Sequence, residues 1–153
     1  DLYLTGSNVV PGNDQVHHVL VYAIGDQHRE LVEEADAQSP ELGYSCFGSP
    51  YPDNSNVSWL EGFPAQIGAW VPALGATIYP DGTAFRIPQD SIVIIQVHYS
   101  ALGGEAKEDS TVYEMMLTEE EPENLLVTKP LAIQDLSIPP GAYDVEFSNV
   151  FTN

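Results

Sequence analysis

His17 and His18 stand side by side at the start of one apolar run, VHHVLVYAI (residues 16–24), and His98 lies near the end of another, SIVIIQVHYS (residues 91–100). Neutral imidazole is the commonest protein ligand for copper and zinc, and three imidazoles with a position left open make a centre that can take solvent or substrate. The obstacle is geometric. Neighbours in a regular strand point to opposite faces, so His17 and His18 can serve one ion only if the strand has barely begun or is bulged there. The turn Pro11-Gly12-Asn13-Asp14 ends just before Val16, which puts the pair where alternation has not set in. Two readings stand at this point. In one, the three histidines share a metal ion; in the other, His18 is a hydrogen-bonded core residue, His17 faces solvent and His98 is unrelated.

Other constellations carry less. His28 lies in the acidic stretch 26–41 and is expected to be exposed. Cys46 sits in a loop rich in Gly and Pro, with no orienting Asn or Asp that the sequence places beside it, so it reads as an inert thiol rather than a nucleophile. Of the adjacent Met115 and Met116, one is expected to face the core, the ordinary role of methionine. The carboxylates are too numerous for an acid–base pair to be singled out, and there is no Gly-rich phosphate loop. Gln96 shares a strand face with His98 and is a candidate to support it, whereas Tyr99 is expected on the opposite side.

The elements that must position these residues are strands. The chain has 12 Gly and 12 Pro among short runs rich in Val, Ile and Tyr, a pattern that suits strands joined by turns. Strands are expected over residues 1–10, 16–24, 83–87, 91–100, 111–117, 125–133 and 142–150. The run 91–100 is the most apolar and is expected to be a central strand buried on both faces. Residues 26–41 read as a surface loop with one short helical turn near residues 29–35. Residues 43–80 read as a long loop anchored by Trp59, Phe63 and Trp70. Seven or eight strands without alternating helices point to one all-β domain over residues 1–153, a two-sheet sandwich or jelly roll.

Composition bounds the partners. With 23 acidic residues against four basic ones the formal charge is −19, which argues against nucleic acid or an anionic membrane surface. No run approaches the length of a membrane span, so the chain is expected to be soluble. The one cysteine builds no disulfide within the chain and is either a buried thiol or half of a bridge to another segment. The sequon Asn56-Val57-Ser58 is too common by chance to carry weight.

Three segments in this order, PGNDQVHHVLVYA, PDGTAFRIPQDSIVIIQVHYS and LAIQDLSIPPG, resemble the N-terminal catalytic-core domain of the copper type II, ascorbate-dependent monooxygenases, the peptidylglycine α-hydroxylating and dopamine β-monooxygenase family. The resemblance covers roughly residues 1–150, and its most specific parts are the paired histidines and QVHYS. It implies an antiparallel jelly-roll β-sandwich with one copper per chain, ligated by His17, His18 and His98. That copper would relay an electron from a donor such as ascorbate to a second copper domain, where oxygen chemistry occurs. It also implies an extracellular or periplasmic location. The second domain's His-x-His pair has no counterpart after His98, and the disulfides of the animal enzymes are missing, so this chain alone is expected not to hydroxylate a substrate. Two rivals remain: a three-histidine zinc site, and a non-catalytic β-sandwich interaction module that uses the aromatic loop, residues 44–70, as its contact surface.

Overall fold

Strand β1 (Leu2–Val10) carries β-prone Leu, Tyr, Thr and Val at its two ends and buries Tyr3, Leu4 and Val9. A computed structural model describes residues 1–57, 65–100, 104–129 and 136–150, and all structural statements concern these residues. Strand β2 (Val16–Ile24) follows the turn. A short 3-10 turn and helix α1 (Arg29–Gln38) come next, then β3 (Ala65–Trp70), β4 (Thr77–Ile78), β5 (Thr83–Ile87), β6 (Ile92–Tyr99), β7 (Val112–Thr118) and β8 (Asn124–Leu125). No helix among them is long and apolar enough to cross a membrane.

The strands form two sheets. In the first, β1 is central: β7 runs antiparallel along one edge, while β4 and then β5 pair with the other, and β8 adds to β5 in parallel. The second sheet is β3-β2-β6, antiparallel throughout. Leu4, Val9 and Ile87 of the first sheet pack with Val16, Val19, Val21, Ala23, Ile67 and Trp70 of the second, so the main core lies between them. The architecture is an all-β, two-sheet sandwich, as the sequence implies.

A second apolar cluster covers the outer face of the three-stranded sheet. Tyr22, Ile24 and Leu20 of β2 and Ile92 and Ile94 of β6 meet Val32 and Leu31 of α1, together with Tyr44, Tyr51 and Val57 of the following loop. This explains why residues 29–38 form a ten-residue helix rather than one turn. Val32 is buried, and Arg29 bridges Asp26 and Glu33 at helical spacing.

Several expectations are corrected. Among the described residues, strand β6 pairs with β2 alone and is half-buried, with Ile95 and Tyr99 exposed, because the first sheet does not extend over its whole inner face. Residues 43–80 contain β3 and β4, whose short runs are interrupted by Gly and Pro and so lack a clean strand signature. Trp70 is buried as expected, whereas Trp59 and Phe63 lie outside the described residues. Of the strand expected at 125–133, the described part is strand only at Asn124–Leu125 and residues 130–133 lie outside the described residues, while the strand expected at 142–150 does not form. Met115 and Met116 are both exposed, since β7 lies at the margin of its sheet and its inward position is taken by Tyr113.

Candidate metal centre

Pairing between β2 and β6 is regular from Ile24↔Ile92 down to His18↔His98, then skips a residue, so that Val16 faces Tyr99. His17 is the extra residue of a β-bulge. Its consequence is read from the packing. Val16 and Val19 both belong to the inner core, and the two residues between them therefore share the outer face, which further along carries Leu20, Tyr22 and Ile24. His98 lies on that same outer face of β6, two residues beyond Gln96.

The three rings meet edge to face. Centroids are 5.3 Å apart for His17 and His18, 5.4 Å for His17 and His98, and 4.5 Å for His18 and His98. One ring nitrogen from each lies within 4.8 Å of the others, and among the described residues this is the group of potential ligands close enough to hold a metal ion. The Nδ1 atoms of His17 and His18 are 3.1 Å apart. Two imidazole nitrogens bound to one ion at about 2.0–2.1 Å, at angles between right and tetrahedral, are separated by about 2.8–3.4 Å. His17 is exposed and His18 and His98 half-buried.

Two features bear on whether the cluster could hold a cation. His98 Nδ1 is sealed from solvent and has no hydrogen-bond partner, an arrangement that costs about 1–3 kcal/mol unless something satisfies the nitrogen. His18 has its pKa pushed below the ordinary imidazole value, first by burial and then by the neighbouring His98 and His17, which favours the neutral ring with one nitrogen lone pair free. The residues present therefore fit a metal that prefers nitrogen.

The backbone around the bulge is clamped by residues 104–111. Gln15 accepts from Ser100 N through its carbonyl (2.8 Å), donates through Nε2 to Glu105 O (2.8 Å), and accepts from Lys107 N (3.2 Å). Asn13 Nδ2 donates to Glu108 O at 3.0 Å, and Gly12 N donates to Thr111 Oγ1 at 3.0 Å. A Cβ on Gly12 would run into the backbone of Ser110, so the turn can close on this segment only with glycine there. Tyr99, on the face away from His98, donates to Asp109 at 2.8 Å, as its position predicts. The clamp brings Asp14, Glu105, Glu108 and Asp109 to this end of the sandwich, and its one cation, Lys107, is paired with Asp14. That local field favours an incoming cation.

Among the described residues, the hydrogen bonds of Gln96 do not go to the histidines. Its buried amide donates to Cys46 O (3.1 Å), Cys46 Sγ (3.1 Å) and Ser49 O (3.0 Å), tying loop 46–49 over the sheet. The loop carries Phe47, whose ring stands edge-on to His98 with centroids 5.9 Å apart. Nothing in the sequence identifies Phe47, because its contact depends on where a long loop lands. His28 is half-buried against Tyr51, with ring centroids 4.8 Å apart, rather than fully exposed, and lies outside the cluster.

No protein-family model, curated protein or solved structure matches this chain.

Proposed function

We propose that this chain is a copper-binding domain of jelly-roll type that holds one redox ion through His17, His18 and His98 and serves as the electron-transfer half of an ascorbate-dependent copper monooxygenase, or as a stand-alone relative of that half. The observation that carries the reading is the bulge at His17, which turns two adjacent side chains to one face and sets them against the third. An all-imidazole set without thiolate accommodates both Cu(I) and Cu(II), so copper bound there would pass single electrons. The chain's own residues supply the rest. His17 keeps one side of the site open to solvent, where a small reductant such as ascorbate can approach. His18, His98 and Phe47 close the other side, and Gln96 fixes the loop that bears Phe47. The partners are then an electron donor and a second copper domain, and the location is extracellular or periplasmic.

The test is metal loading. One equivalent of Cu(II) per chain is expected to give a type 2 paramagnetic spectrum with nitrogen ligands alone. Zinc, rather than copper, in protein purified without added metal would favour a hydrolytic or hydratase site. Stability and partner binding that ignore both copper and chelators would favour an interaction module. The three-histidine assignment itself fails if His98→Ala binds copper with unchanged affinity and spectrum.

A further inference from the structure

A strand with one partner presents a row of unpaired backbone donors and acceptors, and folds blunt such edges with charge, proline, a bulge or a cover. Strand β7 carries Glu114 and runs into Glu119, Glu120 and Glu121. Strand β3 is bulged at Ile67, and the carbonyls of Gln66 and Ile67 accept from Thr128 Oγ1 (2.8 Å) and Tyr79 Oη (3.1 Å). Strand β6 lacks charge, proline and bulge alike. Among the described residues it pairs with β2 alone, and no proline or charged residue lies between Asp90 and Glu105.

The free side of β6 can be read from one bond. Ser100 N donates to Gln15 O on the β2 side, and backbone groups of alternate residues point the same way, so those of Val93, Ile95, Val97 and Tyr99 face away from β2. A groove of about 350 Å³ borders this edge, walled by Ile94, Ile95, Val97 and Tyr99 of the strand and by Leu42 and Tyr44 of the loop. It shares Val97 and Tyr99 with a hollow of about 340 Å³ whose walls include His18, His98, Cys46 and Phe47. Leu42 is fully exposed, Phe47 is 79% exposed, and Ile95 and Tyr99 are about half exposed, so apolar side chains flank the unpaired backbone above and below.

We propose that the free edge of β6 docks a second copy of this chain, strand against strand and antiparallel. Charge selects the occupant: at −19, two copies repel wherever their acidic surfaces approach, and this uncharged edge is where their backbones can meet. Geometry agrees, because an antiparallel strand is complementary to itself about a two-fold axis. An axis at Gln96 sets Val93 opposite Tyr99 and Ile95 opposite Val97 of the other copy, and every outward donor and acceptor is then used, in about eight hydrogen bonds. The axis stands perpendicular to the sheet, so the result is a six-stranded sheet with both histidine clusters on one face and their His98 Cα atoms about 14–15 Å apart. The docking holds whatever ion the histidines bind.

Sedimentation equilibrium of the metal-free full chain, from about 1 μM to about 1 mM, tests this. The mass is expected to rise from one chain to two. It should do so at lower concentration in about 1 M salt than in about 0.1 M, because salt screens repulsion between like-charged copies. Ile95→Lys is expected to weaken the dimer at least about tenfold, whereas Ile78→Lys, the same charge change on the other sheet, should leave it unchanged. Amide exchange supplies a readout that needs no variant: Val93, Ile95 and Val97 should become protected only as the dimer forms, and Ile94 and Gln96 should be protected throughout. A single-chain mass at every concentration and salt overturns the proposal, as do a dimer indifferent to Ile95→Lys and outward amides already protected in the monomer.

Discussion

At one end of the β2–β6 ladder the outward residues Tyr22, Ile24, Ile92 and Ile94 disappear beneath Val32 and Tyr51, while at the other end, among the described residues, His18 and His98 meet His17 and the loop that carries Phe47 and stay half-buried. Both ends belong to the same two strands and the same sheet face. What differs is the register. The apolar end keeps one-to-one pairing, so every second residue can be apolar and a helix can lie flat on it. The histidine end spends one unpaired residue, His17, to bring together three side chains that strict alternation would separate. Burial stabilises one end, and the other is left underpacked, with a buried nitrogen unsatisfied, in a form that a ligand can complete.

The contrast is broken most severely from the apolar side. Ile24 is 1 % exposed, and Ile24→Ala should cost about 2–5 kcal/mol in urea unfolding while leaving copper affinity unchanged, because the site lies at the far end of the ladder. A parallel fall in affinity would mean that the two ends are coupled and that the outer face behaves as one unit.

Deleting His17 attacks the other end. Removal of the bulged residue leaves Val16↔Tyr99 and His18↔His98 in consecutive register, so the fold should persist with equal or greater stability in the absence of metal. Copper affinity should drop at least about 100-fold, or about 2.7 kcal/mol, as one ligand of three is lost. Titration against a competing chelator measures it, and retention of full affinity would show that His17 is only a solvent-facing neighbour.

A smaller effect is expected at Gln96. Gln96→Leu strands the carbonyls of Cys46 and Ser49 and frees the loop that places Phe47 against His98, at a cost of about 1–3 kcal/mol in stability and about tenfold in copper affinity. Stability falling without any change in affinity would confine Gln96 to holding the loop.

The same contrast explains which features are legible in the sequence. Strand β2 is legible to the residue, because Val, Leu and Ile at fixed spacing leave little choice, and the paired histidines by themselves mark a break in that spacing. The link to His98 needs the pairing of β2 with β6, which follows from their being the two most apolar runs. Less legible is whatever depends on partners far along the chain. Helix α1 is polar enough to pass for a loop until Tyr51 and Tyr22 give Val32 a place to go. Gln96 shares a face with His98 and so suggests a direct support for it; its amide is instead consumed by a loop some fifty residues earlier. Cys46 has no partner that the sequence can name, and only the folded loop shows that it borders the histidine pocket.

The mildest effect separates the ends by pH. Burial, then the neighbouring His98 and His17, holds His18 below the 6.5 of an ordinary imidazole, so the folded chain refuses a proton that the unfolded chain accepts as the pH drops through that value. Where the unfolded state binds more protons, stability rises with pH; the metal-free chain should therefore lose stability on going from about pH 7.5 to about pH 5.5, before most carboxylates titrate. The urea midpoint in the presence of chelator measures this loss, and His18→Gln should flatten it while Ile24→Ala, at the apolar end, should lower both midpoints and keep their difference. An unchanged slope in His18→Gln would assign the dependence to other groups. Bound copper should make the fall on acidification steeper, because protons then compete for the same nitrogens.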